Sequence, residues 1–182
     1  MQKKNQKNKS QIIIIFEGHD KSGKTTISTE LSKRINVPIF KLKKNKKQFD
    51  QLIDLFYGVE STVQFIEQTK CSVILDRFYP SEYVYSKVYK RFTNVKKILE
   101  LDKRMSRMNT FIIVCYKDPE AYEIDPADID ITTPKDYSAL TQSFKKFSEL
   151  SKCPIFFLNT SDKNLEEQVK KIVEFIQVCR KQ

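Results

Sequence analysis

The 182-residue sequence predicts a three-layer α/β fold, in which a five-stranded parallel sheet is covered by helices on both faces. Two observations predict it. Strand-like segments alternate with helix-like segments along the chain, which is the order that produces a parallel sheet. The first strand-like segment, residues 12–17, is a continuous β-branched and aromatic run, as expected of a central strand that is buried on both faces.

The individual elements follow from periodicity and turn residues. The first helix is predicted at 24–35, because Ile27, Leu31 and Ile35 recur at four-residue spacing. We expect Gly58 to interrupt the second helical region, and the third region to form one long helix or a pair. The predicted strands are residues 12–17, 37–40, 72–75, 110–116 and 154–158. The predicted helical regions are residues 24–35, 48–68, 81–107, 136–150 and 165–178.

A single domain is predicted for residues 12–182, a length that can bury a sizeable core without metal ions or disulfide bonds. Residues 1–11 form a polar, lysine-rich tail that we expect to be disordered. Residues 118–134 are acidic, contain three prolines and lack Lys and Arg. We therefore expect this segment to be a loop or a mobile flap that could serve as a lid.

The net charge of +10 raises the question of a nucleic-acid partner, since clustered basic residues neutralise phosphates. The lysines are instead spread over the tail, a tract at 41–47 and helix faces, which favours a small phosphate-bearing substrate.

No apolar run approaches the ~20 residues that span a bilayer, so we expect a soluble, cytoplasmic protein without a membrane partner. The four cysteines lack metal-type spacing and are interpreted as reduced thiols.

Residues 18–25 match the phosphate-loop pattern G-x-x-x-x-G-K-[ST] between a predicted strand and a predicted helix. Glycine permits the close backbone approach that lets amide groups point at a phosphate, and the following helix adds its positive end. The pattern predicts ATP binding, with Lys24 on the phosphates and Thr25 as a Mg²⁺ ligand. The predicted ATP-binding residues in this segment are Gly18, His19, Asp20, Lys21, Ser22, Gly23, Lys24, Thr25 and Thr26.

A second group of polar residues ends the third predicted strand, where Asp76 and Arg77 follow an apolar run. In open α/β sheets, ligands bind at the carboxyl ends of the strands. We therefore expect the pair to face the phosphate loop, with Asp76 holding Mg²⁺ through water and Arg77 binding phosphate oxygens in a forked arrangement.

Together these motifs resemble those of the thymidylate kinases, a family of nucleoside monophosphate kinases. Residues 16–26 resemble the family's first motif, and Asp76-Arg77-Phe78 with Ser81 and Tyr85 resembles its second. The resemblance implies the P-loop kinase fold, with ATP as phosphoryl donor and Mg²⁺ as cofactor. It also implies that Asn159 and Thr160 lie where the family binds adenine, and that Lys24, Lys21 and Arg77 are catalytic. The acceptor-binding residues that it implies are Asp20, Arg77, Phe78 and Ser81.

The chain departs from the family after the second predicted strand, where a lysine tract replaces an expected arginine. Lys41 and Lys43 are the candidates to bind the acceptor phosphate there. The base of the acceptor is left open, with Phe56, Tyr57 and Phe65 as candidates to stack on it. Thymidylate kinases dimerise through their helices, and whether this chain forms a homodimer also stays open.

The sequence predicts phosphoryl transfer from ATP to a deoxynucleoside monophosphate. A deoxynucleoside kinase is the nearest alternative, but it needs a carboxylate as general base after the second strand, where this chain has lysines. A nucleic-acid 5′-end kinase, or a basic nucleic-acid-binding module with an ATP switch, is supported only by the tail and the lysine tract. A catalytically inactive scaffold is disfavoured because Lys24, Thr25, Asp76 and Arg77 are all present.

Overall fold

A computed structural model of the chain describes residues 11–41, 52–121 and 134–181, with the backbone alone at 52–57 and 134–135. The strands in these ranges are β1 (Ile13–Glu17), β2 (Ile39–Phe40), β3 (Val73–Asp76), β4 (Thr110–Tyr116) and β5 (Ile155–Asn159). The helices are α1 (Lys24–Ile35), α2 (Leu52–Thr69), α3 (Tyr79–Val88), α4 (Val95–Ser106), α5 (Pro134–Ser148) and α6 (Leu165–Cys179). The short turn Pro119–Ala121 is a 3₁₀-helix.

All strands of the described sheet are parallel, in the order β2-β3-β1-β4-β5. The central strand β1 is buried along its whole length. Its side chains alternate between two cores: Ile13 and Ile15 face the core that includes residues of α2 to α5, whereas Ile14 and Phe16 face the core that includes residues of α1 and α6. The predicted three-layer fold with a five-stranded parallel sheet is therefore confirmed for the described residues.

Most predicted elements are found within a few residues of their predicted bounds, and two of them differ. Gly58 does not interrupt α2, because the burial of Val59, Val63 and Ile66 outweighs the cost of one helical glycine, about 1 kcal/mol. The region at 81–107, predicted as one long helix or a pair, is a pair of helices, in which Asn94 caps α4 by accepting a hydrogen bond from the Lys97 backbone N–H at 3.0 Å.

The second strand is shorter than predicted, two residues at an exposed edge of the sheet. Proline has no backbone N–H to donate, and Pro38 contributes only its carbonyl, which accepts from Ile74 at 2.8 Å.

Gln11, the last residue of the predicted tail, is half-buried, and its side chain donates to the Cys71 carbonyl at 3.0 Å. Among the described helices, none is both long and apolar enough to cross a membrane.

Several predictions fall on parts of the chain outside the described residues. They concern the tail at 1–10, the start of the second helical region at 48–51 and most of the flap, at 122–133. The same holds for Lys43 and for the side chains of Phe56 and Tyr57. Phe65 is described: it is 59% exposed on α2 and does not belong to either core.

The close packing of the loop after β1 against β4 allows a test of the fold. Gly18 has φ +128, and a Cβ atom built there would lie 2.1 Å from the Cys115 carbonyl oxygen. Gly18→Ala should therefore lower the free energy of unfolding by about 2–4 kcal/mol, through backbone strain and overpacking. Chemical denaturation measures the difference from the wild-type protein.

Gly23→Ala is the matched control. Gly23 also has positive φ, at +80, but the nearest atom to a Cβ there is 3.6 Å away, which is an ordinary contact. We expect Gly23→Ala to lower the free energy of unfolding through backbone strain alone, by about 1–2 kcal/mol. Equal destabilisation by both substitutions would show that the contact with β4 does not limit the position of the loop.

Candidate functional site

The loop between β1 and α1 has the backbone form that suits an anion. Positive φ angles occur at Gly18, Lys21 and Gly23, so the chain curls back on itself before the helix begins. Gly23 is the N-cap of α1, and no side chain caps the helix there. The first N–H groups of α1 can therefore bind an anion, assisted by the positive end of the helix dipole.

Lys24 lies inside this loop rather than on its surface. Its side chain is 6% exposed, and its Nζ donates a hydrogen bond to the His19 carbonyl and lies 3.4 Å from the Ser22 hydroxyl. Burial, together with the charge of Arg77, lowers the pKa of Lys24 from 10.5 to about 8. A nearby anion would favour the charged form, so the position suits a lysine that binds phosphate.

Arg77 reaches the loop from the end of β3. Its backbone has φ +61, which is unusual for a residue with a side chain. The guanidinium forms an ion pair with the Asp20 carboxylate and lies 5.3 Å from the centre of the Tyr85 ring. The structure thus brings Arg77 to the phosphate loop, as the sequence predicts, while the catalytic and binding roles of these residues stay predictions.

Asp76, the last residue of β3, is 6% exposed. Its Oδ2 accepts from the Lys41 Nζ at 2.7 Å, whereas no described residue donates a hydrogen bond to its buried Oδ1. A buried carboxylate oxygen without a donor suits a metal ion or its bound water. Asp76 and the exposed Thr25 are therefore compatible with the predicted Mg²⁺ site.

A cleft of about 280 Å³ joins these features. It is lined by residues 20–26, Lys41, Asp76 and Arg77. Among the lining residues, four basic side chains outnumber two carboxylates, so the cleft attracts anions.

The predicted site residues that do not line this cleft are Gly18 and His19 of the loop and four residues elsewhere, Phe78, Ser81, Asn159 and Thr160. Phe78 packs in the core beneath α3, and Ser81 is bound to Glu17. The hydroxyl of Thr160 lies 2.9 Å from the carbonyls of both Ser22 and Tyr116, so it ties the end of β5 to the phosphate loop. The Asn159 amide donates to the Asp118 carboxylate at 2.9 Å. The binding roles predicted for these four residues stay predictions.

Several solved structures are similar to this chain in fold. A YorR protein from Bacillus subtilis, whose crystal structure is a complex with phosphorylated GDP, matches with a TM-score of 0.73, 19% identity and coverage of 93% of this chain and 98% of its own. A deoxyadenosine kinase from M. mycoides with bound products matches with a TM-score of 0.57 and 16% identity, over 91% of this chain and 99% of its own. The chain has the fold of the P-loop kinases.

A thymidylate kinase from Ehrlichia chaffeensis is a further match, with a TM-score of 0.57, 13% identity and coverage of 91% of this chain and 98% of its own. No protein-family model matches the sequence, and no curated protein matches it. At these identities the structural matches show a common fold, and the acceptor has to be inferred from the site itself.

His19 occupies a phosphate-loop position, but its ring is turned into the protein. It is 2% exposed and makes an edge-to-face contact with Tyr137 of α5, with the ring centres 4.5 Å apart. Burial lowers the pKa of His19 to about 4, so the ring is neutral at pH 7. Its side chain therefore packs the loop against α5, and its predicted contact with ATP would have to come from the backbone.

Glu17 is the residue of this region that sequence reasoning missed. It is fully buried, and its carboxylate accepts hydrogen bonds from the Phe78 N–H at 2.9 Å and from the Ser81 hydroxyl at 2.5 Å. The signal in the sequence was an acidic residue at the end of an otherwise apolar strand. Burial raises the pKa of Glu17 to about 7, and its hydrogen bonds offset only part of the effect.

This raised pKa predicts a specific dependence of stability on pH. Between 4.5 and about 7 the folded protein holds a proton on Glu17 that the unfolded chain has lost, so the contribution to stability is present at low pH and is lost as the pH rises through 7. Glu17→Gln cannot titrate. As the pH rises from about 5 to about 8, the free energy of unfolding of the variant should increase by roughly 2–3 kcal/mol relative to that of wild type.

Denaturant unfolding of both proteins across this pH range measures the gain. If the two stability curves run parallel, Glu17 titrates with an ordinary pKa, and the inferred effect of burial is wrong.

Proposed function

We propose that the protein transfers the γ-phosphoryl group of ATP to the phosphate of a deoxynucleoside monophosphate, giving the diphosphate, as a thymidylate kinase does. The observation that carries the proposal is the position of the Arg77 guanidinium, which lies beside the phosphate loop and pairs with Asp20 of that loop. A guanidinium binds a phosphate through two parallel hydrogen bonds, so a guanidinium beside the phosphate loop would hold an acceptor phosphate close to the donor.

The donor half of the reaction rests on the phosphate loop. The backbone N–H groups of the loop and of the first turn of α1 would hold the phosphates of ATP, with Lys24 as the buried cation among them. Thr25 and Asp76 would hold Mg²⁺, which when bound neutralises charge on the transferring group. Lys21 is exposed, lines the cleft and is the basic residue that we expect to assist the transfer.

The acceptor half rests on the charges opposite the loop. Lys41, at the end of β2, is a cation where a nucleoside kinase would need a carboxylate to remove a proton from a hydroxyl group. A phosphate acceptor needs no such base, since its oxygens are already ionised. Asp20 would bind the sugar 3′-hydroxyl. Catalysis then consists of positioning and charge neutralisation, and the flap at 118–134 would close to exclude water.

Two alternatives remain and predict different results. A deoxynucleoside kinase, the activity of the M. mycoides protein, would phosphorylate nucleosides faster than monophosphates. A nucleic-acid 5′-end kinase would act on oligonucleotides and lose affinity steeply with salt. A coupled ADP-release assay with MgATP, run across deoxynucleoside monophosphates, deoxynucleosides and a 5′-hydroxyl oligonucleotide, distinguishes them. The proposal requires the highest kcat/KM with a monophosphate, and a higher value with either other class contradicts it.

Removing the buried lysine of the loop tests the donor half. Lys24→Ala should lower kcat by roughly a thousandfold, because the phosphates lose their buried cation. The fold should remain, since the lowered pKa of Lys24 shows that burial disfavours its charge. The ADP-release assay and a thermal melt measure both effects.

Lys33→Ala is the matched control on the same helix. Lys33 is 71% exposed and pairs loosely with Glu30 at 3.8 Å, so activity and stability should both stay near wild type. Retained turnover in Lys24→Ala would remove the proposal.

A conservative change of the guanidinium tests the acceptor half. Arg77→Lys keeps the charge but loses the forked geometry, so kcat/KM for the acceptor should fall about 10- to 100-fold. Steady-state kinetics with the acceptor varied at saturating ATP measures the loss. Arg91→Lys, in the exposed loop between α3 and α4, is the control. If Arg77→Lys and wild type have the same kcat/KM for the acceptor, Arg77 does not bind the acceptor phosphate.

A further inference from the structure

The first turn of α3 is not capped by the side chain of its own N-cap residue. Its N-cap residue is Phe78, whose side chain cannot accept a hydrogen bond. The buried carboxylate of Glu17, at the end of β1, supplies this function from a distant part of the chain. Its Oε1 accepts from the N–H groups of Phe78 at 2.9 Å and Ser81 at 3.3 Å, and its Oε2 accepts from the Ser81 hydroxyl at 2.5 Å.

These contacts surround Arg77, one of the two residues lining the cleft that are not glycine and have a positive φ. Arg77 donates its backbone N–H to the Phe16 carbonyl at 2.9 Å, and the next N–H, of Phe78, is bound by Glu17. Residues 16 and 17 therefore hold Arg77 on both sides. A residue other than glycine stays at a φ of +61 only where its surroundings impose that conformation.

The conformation of Arg77 decides where its guanidinium points. At this φ the side chain reaches Asp20 and lies over the Tyr85 ring. Glu17 also immediately precedes Gly18, the first residue of the phosphate loop. One buried side chain therefore connects the start of the donor-binding loop to the turn that carries the acceptor-binding arginine.

We propose that Glu17 is a positioning residue for phosphoryl transfer, which directs Arg77 towards the phosphate loop by binding the first turn of α3. This inference rests on the function proposed above. It assigns to Glu17 an effect on the acceptor and on turnover and at most a small effect on the affinity for ATP, since the hydrogen bonds of the Lys24 side chain go to His19 and Ser22 and not to the turn at Arg77.

A variant of another buried carboxylate can distinguish a positioning effect on the site from a general loss of stability. Asp102 of α4 is 1% exposed and accepts from the Tyr79 hydroxyl at 2.9 Å, the Ser151 hydroxyl at 2.7 Å and the Lys152 N–H at 2.5 Å. It also binds the first turn of α3, through Tyr79, but none of these hydrogen bonds involves Arg77 or the two chain neighbours of Arg77. Asp102→Asn therefore perturbs a comparable buried network without the proposed link to the site.

The experiment compares Glu17→Ala, Glu17→Asp, Glu17→Gln and Asp102→Asn with wild type. In Glu17→Asp the carboxylate is one methylene too short to reach α3, and this variant also serves if Glu17→Ala does not fold. Glutamine keeps the oxygen that accepts from both N–H groups, and the Ser81 hydroxyl can rotate to accept from its amide. The probes are MgATP and the deoxynucleoside monophosphate that gives the highest wild-type rate.

We expect Glu17→Ala and Glu17→Asp to raise the acceptor KM and to lower kcat, with a combined loss of about 100-fold in kcat/KM, as a displacement of about 1 Å would cause. Their Kd for MgATP, measured by calorimetry, should stay within about threefold of wild type. Glu17→Gln should recover most of the loss, and Asp102→Asn should leave the acceptor KM near wild type. Kinetic losses in Glu17→Asp no larger than those in Asp102→Asn would overturn the proposal.

Crystal structures of Glu17→Asp and wild type test the same claim without activity. The proposal predicts that Arg77 leaves its positive φ and its contact with Asp20 in the variant, and an unchanged Arg77 overturns it. If the wild-type protein phosphorylates none of the acceptors, the proposed function fails, whereas this structural comparison still decides whether Glu17 positions Arg77.

Discussion

The burial of β1 between β3 and β4 is the constraint on which the rest of the structure depends. In a parallel sheet the carboxyl ends of neighbouring strands lie at the same edge, and here they bring Gly18, Arg77 and Cys115 close together. The phosphate loop follows β1 directly, and the turn with Arg77 follows β3 directly. The site is therefore a consequence of the strand order, and side-chain contacts such as that of Glu17 refine it.

Charge in the cleft follows from the same arrangement. Lys24 and Arg77 approach each other because their elements are neighbours, and the charge of Arg77 disfavours that of Lys24. Asp20 and Asp76 offset part of this repulsion through ion pairs with Arg77 and Lys41. A bound phosphate chain would offset it further, since basic groups in a partly buried site bind anions more strongly than they would in water.

Much of the fold could be predicted because the relevant signals are local. The predicted bounds of α1 and β4 are those observed, since helical spacing and a continuous apolar run mark them clearly. Gly58 was misinterpreted because local propensity ignores the core that α2 buries. The phosphate loop and Arg77 could be predicted because a motif and a strand end mark them. The role of Glu17 could not, because it depends on an α3 turn 61 residues away in the chain.

The proposed function requires a phosphate chain that runs from the loop at 18–25 to Arg77. A crystal structure with a bisubstrate analogue, in which adenosine and a deoxynucleoside are joined through five phosphates, tests it most directly. We expect the loop amides and Lys24 to bind the donor end of the chain and the Arg77 guanidinium to bind the phosphate nearest the deoxynucleoside. A structure in which Arg77 contacts no phosphate, or in which the analogue lies outside the cleft, would contradict it.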